Sequence, residues 1–279
     1  MILPDLILPS RANKNWQYTG IDSSENPTNK QHFKNYPYKV NYNYNSRGFR
    51  DAEWPDDLEN VVWCIGDSFT VGLGCPSDHI WPCILQQKLN QRTINVSMDG
   101  ASNEWIARRT CDIIDAIHPS TIIIQWSYTH RREDTVENGL NKLWTKFYNT
   151  VKNSSWPECK YSNFNTLPEF IQVEVHELHQ WNYHKQFLDE NRTLHYNLTS
   201  LDDNNNNINL LNCIKQVEST GANIIHSFIP EFAQDWNNSD LSGYKFIPEI
   251  KKLDLARDYH HYDTLTATNF VYQLLMLLD

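Results

Sequence analysis

The sequence predicts an α/β protein built on a parallel β-sheet. Three observations lead there. Short β-branched runs alternate with segments of helical periodicity from residue 60 to residue 228. The runs end in turn-forming or small polar residues, at Gly66, before Gly100 and at Ser127. The third run, Ser120–Trp126 (STIIIQW), is the most hydrophobic of them, as suits a strand covered on both faces.

Residues 1–58 are polar, rich in Asn and Tyr and irregular, and read as an N-terminal arm packed on the core, with a turn at Asn45-Ser46-Arg47-Gly48. Residues 59–279 read as the main domain. Asn60–Ile65 (NVVWCI) is its first strand, and 79–90 is a helix. Thr93–Ser97 (TINVS) is the second strand. Residues 102–117 form a helix, with Ser102 as N-cap, Glu104 in the first turn and Ile106, Ile113, Ile114 and Ile117 on one face. His118-Pro119 stops it, and the strand 120–126 follows.

Residues of about 130–205 break this rhythm. They read as a helical insertion between the third and fourth strands, with helical segments around 135–152 and 168–195 and a polar loop at Asn204–Asn207. The aromatics of the insertion (Trp144, Phe147, Tyr148, Trp156, Trp181, Tyr183) read as packing onto the body, stacking on sugar rings being the alternative. A helix ending at Gly221 leads into the fourth strand, Ala222–Phe228, and Thr264–Leu278 is a closing leucine-rich helix.

Composition excludes several functions. The formal charge is −10, from 24 basic and 34 acidic residues, which argues against nucleic-acid partners and against adhesion to an anionic membrane. No run approaches the roughly 20 apolar residues of a membrane span. The first residues carry Pro4, Asp5 and Pro9 without a basic start, so no signal peptide is expected and the expected location is the cytoplasm. The six cysteines are scattered without a C-x-x-C pair and read as reduced thiols. His176, His179 and His184 fall one residue short of H-E-x-x-H spacing and read as a solvated helix face, so no metal is expected. Arg131 and Arg132 read as surface ion-pair partners, the alternative being a reach into a pocket toward an anionic group.

In an open α/β sheet, ligands bind beyond the carboxyl ends of the strands. There the chain places Gly66-Asp67-Ser68-Phe69-Thr70, then Gly100-Ala101-Ser102-Asn103, then Ser127-Tyr128-Thr129-His130, with Asp258-Tyr259-His260-His261 before the last helix. Four of the nine glycines, Gly66, Gly72, Gly74 and Gly100, bracket the first two of these loops. The set suits acyl transfer. A serine hydroxyl needs a base to take its proton, and imidazole titrates near neutrality. The imidazole needs a carboxylate to fix its tautomer. Asp258 and His261 are three residues apart, within reach of one turn, and the spacing favours His261 over His260 as the base. Backbone N–H groups at Ser68 and Gly100 are candidate oxyanion donors.

These blocks resemble the SGNH, or GDSL-type, hydrolases. Gly66-Asp67-Ser68-Phe69 is similar to that family's first block, Asn95–Gly100 to the block whose glycine serves the oxyanion hole, and Asp258-x-x-His261 to the block that supplies acid and base. Asn45–Arg50 is similar to the lead-in before the family's first strand. The resemblance covers about 45–130 and 220–279. It implies a three-layer α/β/α, flavodoxin-like fold and a serine esterase without a cofactor. Ser68 is then the nucleophile, His261 the base and Asp258 its orienting acid. The implied substrate is a small-molecule or carbohydrate ester, with an O-acetyl group as the leading guess. One block departs. Ser127-Tyr128-Thr129-His130 stands where the family has G-x-N-D, so Thr129 occupies the position of the third oxyanion donor, and Asn103 is another candidate. The departure keeps two alternatives open: a catalytically weak or silent glycan- or protein-binding module, and an O-acyltransferase using the same residues.

Overall fold

A computed structural model describes residues 6–8, 11–17, 40–129, 131–135, 193–197, 203–230, 241–247 and 249–278. The chain divides into two units, one of Met1–Arg131 with Thr199–Asp279 and one of Arg132–Leu198.

The first unit is organised on a five-stranded, all-parallel sheet. Its strands are β3 (Val62–Gly66), β4 (Thr93–Ser97), β5 (Thr121–Trp126), β8 (Ile224–Phe228) and β9 (Lys245–Phe246), in spatial order β4-β3-β5-β8-β9. Numbered within the sheet, that order is 2-1-3-4-5, the flavodoxin-like arrangement, and the order reverses at β3. Among the described residues, five α-helices accompany the sheet: α1 (Ser68–Val71), α2 (Trp81–Leu89), α3 (Asn103–Ile117), α4 (Asp203–Glu218) and α5 (Thr264–Leu278).

The period of two along the strands sorts their side chains into two cores. Trp63, Ile65, Ile94, Val96, Ile122, Ile124 and Trp126 face one way and pack with Ile106, Ile113 and Ile117 of α3 and Leu210, Ile214 and Val217 of α4. Val62, Cys64, Ile123 and Ile225 face the other way and meet Trp81, Ile84 and Leu85 of α2 and Ala267, Phe270, Val271 and Leu274 of α5. Three layers result. Burying each large side chain contributes roughly 1.5–3 kcal/mol. The helix ends follow local chemistry: Ser102 Oγ accepts from Trp105 N to cap α3, and His118 closes that helix in the left-handed conformation.

Ahead of the sheet, β1 (Asn15–Gln17) pairs antiparallel with β2 (Asn41–Asn43). Leu6 and Leu8 are buried in the core beside α3. The turn at 45–48 is held by Asn45, whose Oδ1 accepts from Arg47 N and Phe49 N. From the second unit, β7 (Thr193–Asn197) pairs with β6 (Arg131–Thr135) in a two-stranded sheet.

Two expectations need correction. Asn204–Asn207 lies inside α4 and not in a loop, because the helix opens at Asp203. Asp and Asn are at home in a first helical turn, and the buried stripe Leu210, Cys213, Ile214 and Val217 carries the helix. Thr193–Asn197 is a strand and not the end of a helix; its alternating Leu194 and Tyr196 suit a strand as well as a helix over so short a span. The same holds at the start of the expected helical insertion, where Arg131–Thr135 forms β6; its remaining residues, with the aromatics and His176, His179 and His184, lie outside the described residues, as does Cys159. Cys64, Cys75, Cys83, Cys111 and Cys213 are free thiols. Among the described residues, no helix is long and apolar enough to cross a membrane and no group of side chains could hold a metal ion.

Candidate active site

The site forms where the sheet order reverses. β3 ends at Gly66, and Asp67 caps α1 by accepting from Phe69 N at 3.0 Å. Ser68 is therefore the first helical residue, buried directly beyond the strand. On β4, Ser97 is paired with Gly66, so the loop carrying Gly100 leaves the same edge of the sheet. Among the described residues, neither the Ser68 N–H nor the Gly100 N–H has an acceptor.

The structure brings Ser68, His261 and Asp258 together. His261 Nε2 lies 2.8 Å from Ser68 Oγ, and His261 Nδ1 is hydrogen-bonded to Asp258 Oδ2. All three side chains are buried. Asp258 Oδ1 also accepts from the backbone N–H groups of His260 and His261, at 3.0 and 2.9 Å. Burial pushes the Asp258 carboxyl up, but the hydrogen bond and charge of His261 and these two N–H groups outweigh it and hold it below its ordinary value. An ionised carboxylate only accepts, so in neutral His261 the proton sits on Nδ1 and Nε2 is left to accept the Ser68 hydroxyl proton. Tyr259 takes a left-handed φ of 62°, which closes the Asp258–His261 turn.

His260 contributes its backbone N–H to Asp258, and although the residue is exposed, its ring is partly covered, 4.8 Å from the His261 ring and 5.8 Å from that of Phe69. Burial lowers the His260 pKa, assisted by the charges of His261, Lys252 and Arg131 and opposed by Asp258. Phe69 lies 4.5 Å from the His261 ring and 6.4 Å from that of Tyr128.

The loop after β5 is organised differently from what its sequence suggests. The Asn103 amide is committed: Oδ1 accepts from Ser127 N at 2.8 Å and Nδ2 donates to Ser127 O at 3.2 Å. Asn103 thus clamps this loop. Ser127 Oγ donates to Asp67 Oδ2 at 2.6 Å, and Arg131 Nη1 reaches the same oxygen at 2.8 Å. Arg131 therefore pairs with a wholly buried carboxylate next to Ser68, where a surface ion pair was expected. Its guanidinium lies over the Tyr128 ring at 4.9 Å. Thr129 is half-buried in this loop, and His130 lies outside the described residues. Gly100 is left-handed, at φ 75°, and a Cβ there would meet nothing within 4 Å, so conformation and not close approach requires the glycine.

Two further residues, neither given a role by the sequence reading, support the site. Buried Arg50 donates to the carbonyls of Val71 and Gly72 (3.1 and 2.6 Å) and of Asn41 and Cys75 (3.2 and 2.7 Å). Tyr42 Oη accepts from Gly74 N at 2.8 Å. They fix the segment after α1, where Gly74 lies against Asp258.

No family model matches the chain, and no curated protein is similar to it in sequence. Several solved structures are similar at low identity. A protein solved as TesA is 12% identical with a TM-score of 0.40, over 78% of this chain and 98% of its own. A psychrotrophic esterase, EstA from Pseudoalteromonas, is 12% identical with a TM-score of 0.40, over 78% and 96%. A member of the lipolytic G-D-S-L family from Veillonella parvula is 12% identical with a TM-score of 0.36, over 77% and 96%.

Proposed function

We propose that the protein is a serine esterase of the SGNH type. The observation that carries this reading is the continuous chain from Ser68 Oγ through both nitrogens of His261 to Asp258. Ser68 Oγ attacks the ester carbonyl while its proton passes to His261 Nε2. The carbonyl π pair moves onto oxygen, giving a tetrahedral oxyanion. The Ser68 and Gly100 N–H groups donate to that oxyanion, with Thr129 as a third donor from the loop after β5. Collapse expels the alcohol, which takes the proton from His261, and leaves an acyl group on Ser68. Water, deprotonated by the same imidazole, releases the acid and restores the serine. Asp258 stays ionised throughout and stabilises the imidazolium. The chemistry needs no metal or cofactor. The proposed substrates are small esters, with carbohydrate O-acetyl esters the first class to assay.

The test is hydrolysis of p-nitrophenyl acetate by wild type and Ser68→Ala. Turnover by wild type that is lost in Ser68→Ala supports the reading. A folded wild type without turnover, or equal turnover in the variant, refutes it.

A further inference from the structure

We propose that Gln125 and Tyr262 are positioning residues that set the separation of Ser68 and His261. The proposal rests on the esterase reading above. Gln125 lies between Ile124 and Trp126 on the central strand and is wholly buried, so its amide must find partners inside the protein. It finds one on each side of the site. Thr70 Oγ1 lies 2.9 Å from Gln125 Oε1, and Gln125 Nε2 lies 3.1 Å from Tyr262 Oη. The Thr70 hydroxyl donates to Gln125 Oε1 and accepts from Trp81 Nε1 at 3.4 Å, while the Gln125 amide N–H donates to Tyr262 Oη, whose own hydroxyl lies 3.4 Å from Gln125 Oε1.

The two ends of this chain lie beside the reacting pair. Thr70 is two residues from Ser68 in the single turn of α1, and Tyr262 follows His261. Gly66 makes the connection possible: a Cβ there would stand 2.1 Å from Thr70 Oγ1 and 3.0 Å from Gln125 O. The Tyr262 backbone is held as well, its carbonyl accepting from Cys75 Sγ at 3.1 Å. The Tyr262 ring packs against Phe69, with centroids 5.5 Å apart, and Phe69 packs against His261. A matched apolar set would fill this space at little cost in stability, whereas a satisfied buried network fixes one geometry. The network spans the same gap as the Ser68–His261 hydrogen bond. Breaking it frees the base to drift from the nucleophile.

The test uses Tyr262→Phe, Gln125→Leu and the double variant. Each is assayed for kcat and KM on p-nitrophenyl acetate and for the rate of inactivation by a fluorophosphonate. Tyr262→Phe keeps the ring on Phe69, so it decides the matter alone if Gln125→Leu does not fold. The expected result is a fall of about tenfold in kcat, with KM within about twofold and the inactivation rate reduced by the same factor as kcat. The double variant should match the single variants, because each breaks the same link. Unchanged kcat and inactivation in Tyr262→Phe would overturn the proposal, even with a lower melting temperature, since that is the signature of a purely structural role. Losses that multiply in the double variant would overturn it too. Wild type that neither turns over the ester nor reacts at Ser68 removes the esterase reading itself, and the proposal with it. Wild type that reacts while Tyr262→Phe reacts equally fast removes the positioning role alone.

Discussion

Replacing Asp258 with Asn is the perturbation with the clearest expected size. The Asp258 carboxylate takes three donors, His261 Nδ1 and the backbone N–H groups of His260 and His261. Asn keeps one oxygen, which the two backbone N–H groups will hold. Its NH2 then faces His261 Nδ1 and donates to it. That drives the imidazole proton onto Nε2, which lies 2.8 Å from Ser68 Oγ, and the base is lost with the ring still in place. In serine hydrolases this tautomer error costs about 10⁴-fold in kcat, or about 5 kcal/mol of transition-state stabilisation. The fold should survive, at a cost of roughly 1.5–3 kcal/mol for the lost charge-assisted bond. The Asp258 carboxyl is held below its ordinary value of 3.8, so its contribution to stability is present above that pH and is lost as pH falls through the lowered value. The gap in unfolding free energy between wild type and variant should therefore close in acid. Initial rates of p-nitrophenyl acetate hydrolysis near pH 8, with urea denaturation across pH, measure both effects. Activity of the variant within tenfold of wild type would refute the role given to Asp258.

Other substitutions probe the frame around the site. A Cβ on Gly74, at φ 76°, would stand 3.0 Å from Asp258 Cγ, Asp258 N and Ala256 Cβ. Gly74→Ala should lose roughly 1–3 kcal/mol of stability together with activity. At Gly221 (φ 73°) the added Cβ meets nothing within 4 Å, so Gly221→Ala should cost only the conformational strain of about 1–2 kcal/mol and leave kcat unchanged. Arg50→Met strands buried carbonyls and should destabilise by about 3 kcal/mol or more in urea unfolding; Arg50→Lys should not restore this, because an ammonium cannot serve several carbonyls in the plane of a guanidinium fork. Asp51 is pushed up to about 6 by burial, against the pull of Arg92, so its charged form weakens the fold as pH rises through that value. Asp51→Asn should therefore gain about 1–2 kcal/mol relative to wild type between pH 5 and pH 8, read from urea denaturation at the two pH values.

The strands and helices were legible wherever burial imposes a period. TINVS became β4 over the residues expected, and Ser102 caps α3 as its position suggested. The Asn run at 204–207 has the composition of a loop but is helical because the buried stripe that follows it, Leu210, Cys213, Ile214 and Val217, carries the helix. The serine, histidine and aspartate blocks stood out because each is local, a few residues beside a strand or helix end. Their support did not stand out because it is not local. Ser127 and Asp67 are 60 residues apart, and Gln125 and Tyr262 are 137 apart. No spacing along a chain announces such a pair. The one usable signal was Gln125 itself, an amide in the most apolar strand, which has to be satisfied by something. The departure at Ser127–His130 looked like a missing donor. In the folded chain Ser127, Arg131 and Asn103 form a network there, tied to the Asp67 carboxylate beside Ser68.

In the proposed mechanism Ser68 is a nucleophile made reactive by His261. Treatment with a fluorophosphonate, followed by intact mass and peptide mapping, tests it most directly. The expected result is a single adduct on Ser68, absent in Ser68→Ala and formed far more slowly in His261→Ala. An unmodified, folded wild type, or an adduct on any other residue, would contradict it.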